Sequence, residues 1–269
     1  MPDAAPAELA DLEARLRTMG RVVVAVSGGA DSAFLGWVAN RALGTAGCLA
    51  VTAVSPSLAA AERADCAALA SEWGLRWLTV ETDELDDERY VRNDGDRCGR
   101  CKTALMDALA PLAEGATVVL GVNVDDLGDH RPGQHVAAAR GAVFPLVEAG
   151  FTKADVRAWS RRLGLRTWDK PAAACLSSRV PYGTPVSVTV LSSVERAEAG
   201  VRALGFPALR VRHYGDTARL EVPLDELAAV IDRREGVVAA VRAAGYTYVT
   251  LDLEGLRSGN LNQALESHH

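Results

Sequence analysis

The sequence predicts an α/β fold: a doubly wound parallel sheet, followed by a smaller C-terminal α+β domain. Three observations predict it. Short, continuously apolar runs, as in a sheet covered on both faces, alternate with stretches whose apolar residues recur at helical spacing. The first such pair is joined by a glycine-rich break at Ser27-Gly28-Gly29. Beyond a low-periodicity stretch over residues 166–185 the order changes to helix, strand, strand, helix, strand. The boundary is placed near residue 180, giving domains over 1–179 and 180–269.

Composition bounds the rest. The chain has 269 residues, 49% of them hydrophobic, which suits one large core or two ordinary ones. A net charge of −6 argues against a general nucleic-acid binder, which carries a basic stripe. No apolar run is long enough to span a bilayer, and no signal-peptide core is read at the start, so the expected location is the cytoplasm. Five cysteines, an odd number for a reducing compartment, argue against a disulfide framework. His268 and His269 read as a purification-tag remnant and are set aside as ligands.

Taken in order, Leu9, Leu12 and Leu16 predict a helix over 7–18. Residues 22–26 are a buried strand, and Leu35, Val38, Ala39 and Ala42 mark the helix after it. A strand over 48–54, a helix over 58–73 and a strand over 75–81 follow. Cys48 and Cys66 fall on apolar faces and read as buried structural thiols. Residues 82–97 are charged and read as a mobile loop. It ends in Cys98-Gly99-Arg100-Cys101, directly before the periodic Leu105, Met106, Leu109 and Leu112. The pair therefore sits at a helix start, where the dipole and flanking basic residues favour thiolates. It suits a redox pair, half a zinc site, or two ligands of an iron–sulfur cluster.

A fourth strand over 117–122 runs into Asn123-Val124-Asp125-Asp126 and on through Asp129, His130 and Arg131 to Gly133. Carboxylates just past a parallel strand suit magnesium near phosphates; an acidic surface turn is the plainer alternative. Thr152 and Asp155 have the spacing of a reciprocal helix cap. The C-terminal domain reads as a helix over 187–204, strands over 208–213 and 217–222, a helix over 224–243, and a strand over 246–253. Arg210 and Arg212, two apart on a strand, share a face and suit a phosphate. Glu198 falls in register with the apolar stripe Leu191, Val194, Val201 and Leu204; the plainer reading puts it at the solvated edge.

The glycine-rich turn carries the chemistry. Backbone N–H groups there, with a helix N-terminus behind them, form a phosphate site, and glycines let the backbone approach the anion. The run Ser27-Gly28-Gly29-Ala30-Asp31-Ser32 lacks the Walker lysine and is not a dinucleotide fingerprint. It resembles the Ser-Gly-Gly-x-Asp-Ser signature of the PP-loop ATP pyrophosphatase superfamily. That resemblance implies cleavage of ATP between the α and β phosphates, adenylation of a carbonyl or carboxyl group, and release of pyrophosphate. The plainer reading leaves Asp31 and Ser32 as helix caps.

Three blocks narrow the family: Asp169-Lys170-Pro171-Ala172-Ala173-Ala174-Cys175-Leu176-Ser177-Ser178-Arg179-Val180-Pro181-Tyr182-Gly183-Thr184, the 123–133 stretch, and Arg210-Val211-Arg212-His213-Tyr214-Gly215-Asp216. Over about 8–262 the chain resembles the LarE sulfurtransferases, which help to build the nickel-pincer nucleotide cofactor of lactate racemase. The resemblance implies ATP with Mg²⁺, and pyridinium-3,5-biscarboxylic acid mononucleotide as substrate. Each ring carboxylate is adenylated and AMP is then displaced by sulfur. Ser27, Gly28, Gly29, Asp31 and Ser32 would hold ATP, with Asp31 close to the reaction. Ser178, Arg179, Arg210 and Arg212 would hold the substrate phosphate, while Asp126 and Glu198 are magnesium candidates. Cys175 matches the sulfur-donating cysteine of single-cysteine members, which is left as dehydroalanine. Because Cys98 and Cys101 are also present, the chain matches the members thought to bind a [4Fe-4S] cluster through three cysteines. The sulfide donor is unknown. A homo-oligomer, with a hexamer as the candidate assembly, is implied by the resemblance alone. The rivals are a PP-loop tRNA thiolase, which the charge disfavours, an amidotransferase-fed synthetase, for which no glutaminase domain is present, and a nucleotide sensor that binds without turnover.

Overall fold

The computed structural model describes residues 8–128, 132–171 and 174–257. Asp129, His130, Arg131, Ala172, Ala173, His268 and His269, named above, lie outside them. Contacts divide the described chain into two units. The first holds residues 8–55, Ala60–Glu84 and 98–171; the second holds Pro56–Ala59, Leu85–Arg97 and 174–257.

In the first unit, α1 (Leu9–Met19), β1 (Val22–Ala25), α2 (Ala30–Gly47), β2 (Cys48–Val54), α3 (Ala60–Glu72) and β3 (Trp77–Glu81) follow the predicted order. All three strands are parallel, and β4 (Thr117–Leu120) pairs with the free side of β1, giving the order β3-β2-β1-β4. The chain thus winds one way through β2 and β3, then crosses to the other side of β1. The α/β expectation holds. The switch of winding direction lies between β1 and β4, and ligands of such sheets bind beyond the carboxyl ends of the strands there.

The apolar runs explain the strands. Val22, Val23 and Val24 are all buried, as a strand covered on both faces requires. Leu9, Leu12 and Leu16 of α1 pack with Phe34, Leu35 and Val38 of α2 on one face of the sheet. On the other face, Val23 and Val51 join Leu105, Met106 and Leu109 of α5 (Arg97–Leu109). Full burial of one such side chain contributes roughly 1.5–3 kcal/mol. Cys48 and Cys66 are buried here as expected, and burial pushes the Cys48 thiol up to about 12.

Residues 82–97 correct the reading of a mobile loop. They contain a 3-10 turn at Glu84–Asp86 and a short helix, α4 (Glu88–Val91), capped by the Asp87 side chain. Tyr90 and Asn93 are buried despite the charged neighbourhood. Tyr90, Ser57 and Ser177 close a ring of hydroxyls at 2.7, 2.9 and 2.7 Å. Asn93, at φ 62°, donates from Nδ2 to the carbonyls of Pro181, Thr184 and Val180. Partners distant in sequence order this stretch, so local charge was a poor guide.

After β4 the first unit adds α6 (Pro132–Ala139), α7 (Pro145–Glu148) and α8 (Lys153–Arg162). Thr152 caps α8 and Asp155 reciprocates, as the spacing predicted. In the second unit, α9 (Val188–Ala203) and α11 (Arg234–Ala243) cover one face of a sheet ordered β5 (Arg210–Tyr214), β6 (Thr217–Glu221) and β7 (Tyr248–Leu251). β5 and β6 are antiparallel, and β6 and β7 parallel. The helix expected over 224–243 is broken: α10 (Leu227–Asp232) stops at Arg233, whose non-helical backbone separates it from α11.

Candidate functional site

At the end of β1 the phosphate-type loop is closed by hydroxyls. Ser27 N–H donates to Ser32 Oγ at 3.1 Å, and Ser32 Oγ donates to the Gly29 carbonyl at 3.1 Å. Gly28 lies at φ +79°, a conformation that L side chains rarely adopt. The first N–H groups of α2 have no intrahelical acceptors, so loop and helix together offer donors to an anion. Sequence reasoning missed Gly121, just past β4. A Cβ there would fall 2.7 Å from the Ser32 nitrogen and Cα, so only glycine lets the two backbones meet. A lone glycine at a strand end is the signal that could have found it.

Asp31, in the first turn of α2, has one buried oxygen, Oδ1, without a hydrogen-bond partner among the described residues; Oδ2 is paired with the Lys153 ammonium. An orphaned buried acceptor next to an anion loop fits a bound cation. Lys153 was also missed. It is the first residue of α8, where the helix dipole disfavours a positive charge, and a misplaced lysine of that kind is a legible signal.

Asp126 is engaged locally. Its Oδ2 accepts from Asn123 N–H at 3.1 Å, while Asn123 Oδ1 accepts from the amides of Asp125 and Asp126. Asp125 Oδ2 accepts from Lys153 N–H at 2.8 Å and so ties this turn to α8. These carboxylates build the turn, and the orphaned acceptor belongs to Asp31.

Cys98 and Cys101 lie in the first turn of α5, as read, with Cys98 exposed and Cys101 half-buried. Spacing of three on a helix puts both thiols on one side, which fits two ligands of a metal site. Gly133 of α6 approaches this turn; a Cβ there would lie 2.9 Å from the Cys98 carbonyl oxygen. Arg97, the basic residue directly before Cys98, is turned inward: it donates to Asn93 Oδ1 and to the Ser177 carbonyl. Among the described residues no group of three or more His, Cys, Asp or Glu side chains is gathered into a metal site.

Cys175 is exposed at the start of a 3-10 turn, Leu176–Arg179. Its carbonyl accepts from Ser178 Oγ at 2.7 Å and from Arg179 Nη1 at 3.2 Å; Arg179 Nη1 also reaches the Ala174 carbonyl at 2.7 Å. Arg179 is held in turn by Glu198, Nε to Oε1 at 2.8 Å and Nη2 to Oε2 at 3.3 Å. Glu198 also accepts from Arg202 at 2.7 Å and from Val211 N–H at 3.1 Å. At 1% exposure it is not at a solvated edge. Burial raises its pKa, but Arg179 first and Arg202 and the Val211 amide after it bring the net below the usual carboxylate range. Both oxygens are spent on protein donors. Glu198 is therefore an anchor for the Cys175 turn, and magnesium would have to displace two guanidinium groups to reach it.

Arg212 is likewise buried. It pairs with Glu221 through Nε at 3.0 Å and Nη2 at 2.8 Å, and its Nη1 donates to the Ser178 carbonyl at 2.7 Å. Arg210 differs. It makes no ion pair among the described residues, and Nη1 donates only to the Arg257 carbonyl. Its pKa is lowered by burial, then by the charges of Arg212 and Arg179. Of Arg179, Arg210 and Arg212, Arg210 is thus the one without a carboxylate partner among the described residues. Of the four residues read as a phosphate site, Arg179 and Arg212 are the frame and Ser178 is shared between the frame and the turn.

A protein-family model described as NAD synthase matches residues 11–93, the stretch that carries the phosphate-type loop. An uncharacterized protein of Synechocystis sp. is 43% identical over 252 residues, spanning 92% of this chain and 94% of that protein. The pyridinium-3,5-bisthiocarboxylic acid mononucleotide synthase of Lactiplantibacillus plantarum is 37% identical over 259 residues, spanning 95% of this chain and 94% of that enzyme. An uncharacterized protein of Methanocaldococcus jannaschii is 25% identical over 241 residues. No helix among the described residues is long and apolar enough to cross a membrane.

Proposed function

The chain belongs to the LarE family of PP-loop sulfurtransferases, and from that premise we propose that it uses ATP to convert the carboxylates of pyridinium-3,5-biscarboxylic acid mononucleotide into thiocarboxylates, for the nickel-pincer cofactor. The observation that carries the reading is the anion loop at the winding switch of the sheet, in a chain 37% identical along nearly its whole length to a bisthiocarboxylate synthase.

The chemistry follows from what a carboxylate lacks. It is a poor electrophile with no leaving group. Attack of its oxygen on the α phosphorus of ATP forms an acyl adenylate and expels pyrophosphate. Donors of the 27–32 loop stabilise charge on the departing oxygens, and Lys153, released from Asp31, adds a cation. Asp31 is our candidate for the magnesium ligand, in place of Asp126 and Glu198; the ion would supply charge neutralisation on the phosphates. Arg210 takes the substrate phosphate.

A thiolate then attacks the acyl carbon and AMP leaves. If Cys175 is the donor, the product is a thioester. Loss of its Cα proton with cleavage of the Cβ–S bond leaves dehydroalanine and frees the thiocarboxylate. The exposed thiol on a pinned turn suits that role. The pair in the first turn of α5 favours a second route: Cys98, Cys101 and Cys175 would hold a [4Fe-4S] cluster, whose fourth iron could carry sulfide.

The test is pyrophosphate release that depends on the biscarboxylate mononucleotide, with anaerobic iron and sulfide analysis of wild type and of the Cys98→Ala, Cys101→Ala and Cys175→Ala variants. About four irons per chain, lost in each variant, supports the cluster route. No iron, with a loss of roughly 34 Da as Cys175 becomes dehydroalanine, supports the sacrificial one. ATP binding without pyrophosphate release under anaerobic conditions would leave a nucleotide sensor.

A further inference from the structure

Residues 166–170, on the chain path from α8 toward Cys175, are fastened to α3 by a ladder of ion pairs. Arg166 meets Glu72 at 2.9 Å and Asp65 at 2.7 Å. Lys170 Nζ lies between Asp65 at 2.6 Å and Glu62 at 2.7 Å. Burial pulls the Lys170 pKa down, but the two carboxylates outweigh it and the net is upward. The amine therefore stays charged.

The same groups press on the phosphate-type loop. A Cβ built on Gly28 would lie 3.0 Å from Cys66 Sγ, 3.1 Å from Glu62 Oε2 and 3.5 Å from Lys170 Nζ. A carboxylate thus abuts a loop whose backbone is built to attract anions. A bare Glu62 would repel a polyphosphate there, and Asp65 would add to it. Lys170 is the cation placed to cancel both.

We infer that Lys170 is a positioning residue of the nucleotide site: held between Glu62 and Asp65, it neutralises the carboxylates of α3 against Gly28, so that the loop can accept ATP. The inference rests on the reading of 27–32 as a phosphate loop. Lys170 need not touch the nucleotide. Its effect is carried by the charge of Glu62.

The experiment is calorimetric titration of the full chain with Mg²⁺–ATP and with adenosine, at low and high salt. The proteins are wild type, Lys170→Met, Lys170→Arg, Glu62→Gln and the Lys170→Met/Glu62→Gln double variant. An uncompensated charge a few ångströms from the phosphates should weaken ATP by on the order of tenfold at low salt, and less at high salt. Adenosine binding should not change. Lys170→Arg should recover ATP affinity to within about threefold, and the double variant should regain most of what Lys170→Met loses. Glu62→Gln alone should bind ATP at least as tightly as wild type, and it keeps the inference testable if Lys170→Met fails to fold. The inference is overturned if Lys170→Met binds ATP like wild type, if adenosine weakens equally, if the double variant is no better than the single, or if Glu62→Gln binds more weakly. A wild type that does not bind ATP would overturn the phosphate-loop reading itself, and the inference with it.

Discussion

Replacing Glu198 with alanine should destabilise the second unit severely. The carboxylate accepts four hydrogen bonds, at 2.8 and 3.3 Å from Arg179, 2.7 Å from Arg202 and 3.1 Å from Val211. Without it the buried Arg179 keeps, among the described residues, only Ser178 Oγ and the carbonyls of Ala174 and Cys175. Stranding one member of a buried ion pair costs about 3–5 kcal/mol. Set against a total of roughly 5–15 kcal/mol for a domain, that is a large share. Urea unfolding followed by far-ultraviolet circular dichroism measures it. Glu198→Gln keeps the shape and some of the bonds, and should lose less. Replacing Arg179 and Glu198 together with methionine should recover part of the loss, because no unpaired charge is then buried. The pH dependence has a definite sign. The folded Glu198 pKa lies below its unfolded value, so its contribution is complete above the unfolded value of about 4.3 and is lost as pH falls through the folded one. Glu198→Gln should flatten that acid limb. A Glu198→Ala loss below about 1 kcal/mol would refute the anchor. So would magnesium that stabilises wild type but not Glu198→Gln, since the residue would then be a metal ligand.

Three further outcomes follow from the same contacts. Gly121→Ala puts a Cβ 2.7 Å from the Ser32 backbone and should cost about 1–3 kcal/mol, with ATP binding impaired beyond the loss of stability; a thermal melt beside an ATP titration separates the two. Arg210→Ala should weaken binding of the pyridinium mononucleotide by about 1.5–3 kcal/mol while leaving the melting temperature nearly unchanged, whereas Arg212→Ala should lower the melting temperature clearly, because the buried Glu221 would lose two charged donors, keeping Arg219, and the Ser178 carbonyl would lose its donor. Iodoacetamide at pH 8 should modify Cys98 and Cys175 in the native protein and spare Cys48 and Cys66, whose thiols burial holds protonated; mass spectrometry of the peptides reads this directly.

Much of this protein is written locally. The four strands of the first unit are short apolar runs, and a run of that kind has few options but a sheet covered on both faces. The loop at 27–32 is legible because phosphate binding by backbone needs glycines in a fixed place, and the cap at Thr152 and Asp155 because both partners lie within one turn. The family, too, is carried by contiguous blocks, above all the one around Cys175. What the residues do inside those blocks was decided elsewhere. Ser178, Arg179 and Arg212 carry the groups that a phosphate site needs, yet Arg179 is taken up by Glu198 of α9, and Arg212 by Glu221 of β6 and the Ser178 carbonyl; of the three arginines only Arg210 has no carboxylate partner among the described residues. Glu198 reads as a surface carboxylate on a helix and becomes a buried anchor once Arg179 and Val211 arrive from other elements. The charged stretch over 82–97 reads as solvated and is ordered by the Pro181, Thr184 and Ser177 backbone. Local pattern fixes which groups exist and which way a strand or helix runs. Whether a charge faces a ligand or another charge depends on partners up to more than a hundred residues away, as with Lys153 and Asp31, and that pairing is decided only when the chain is folded.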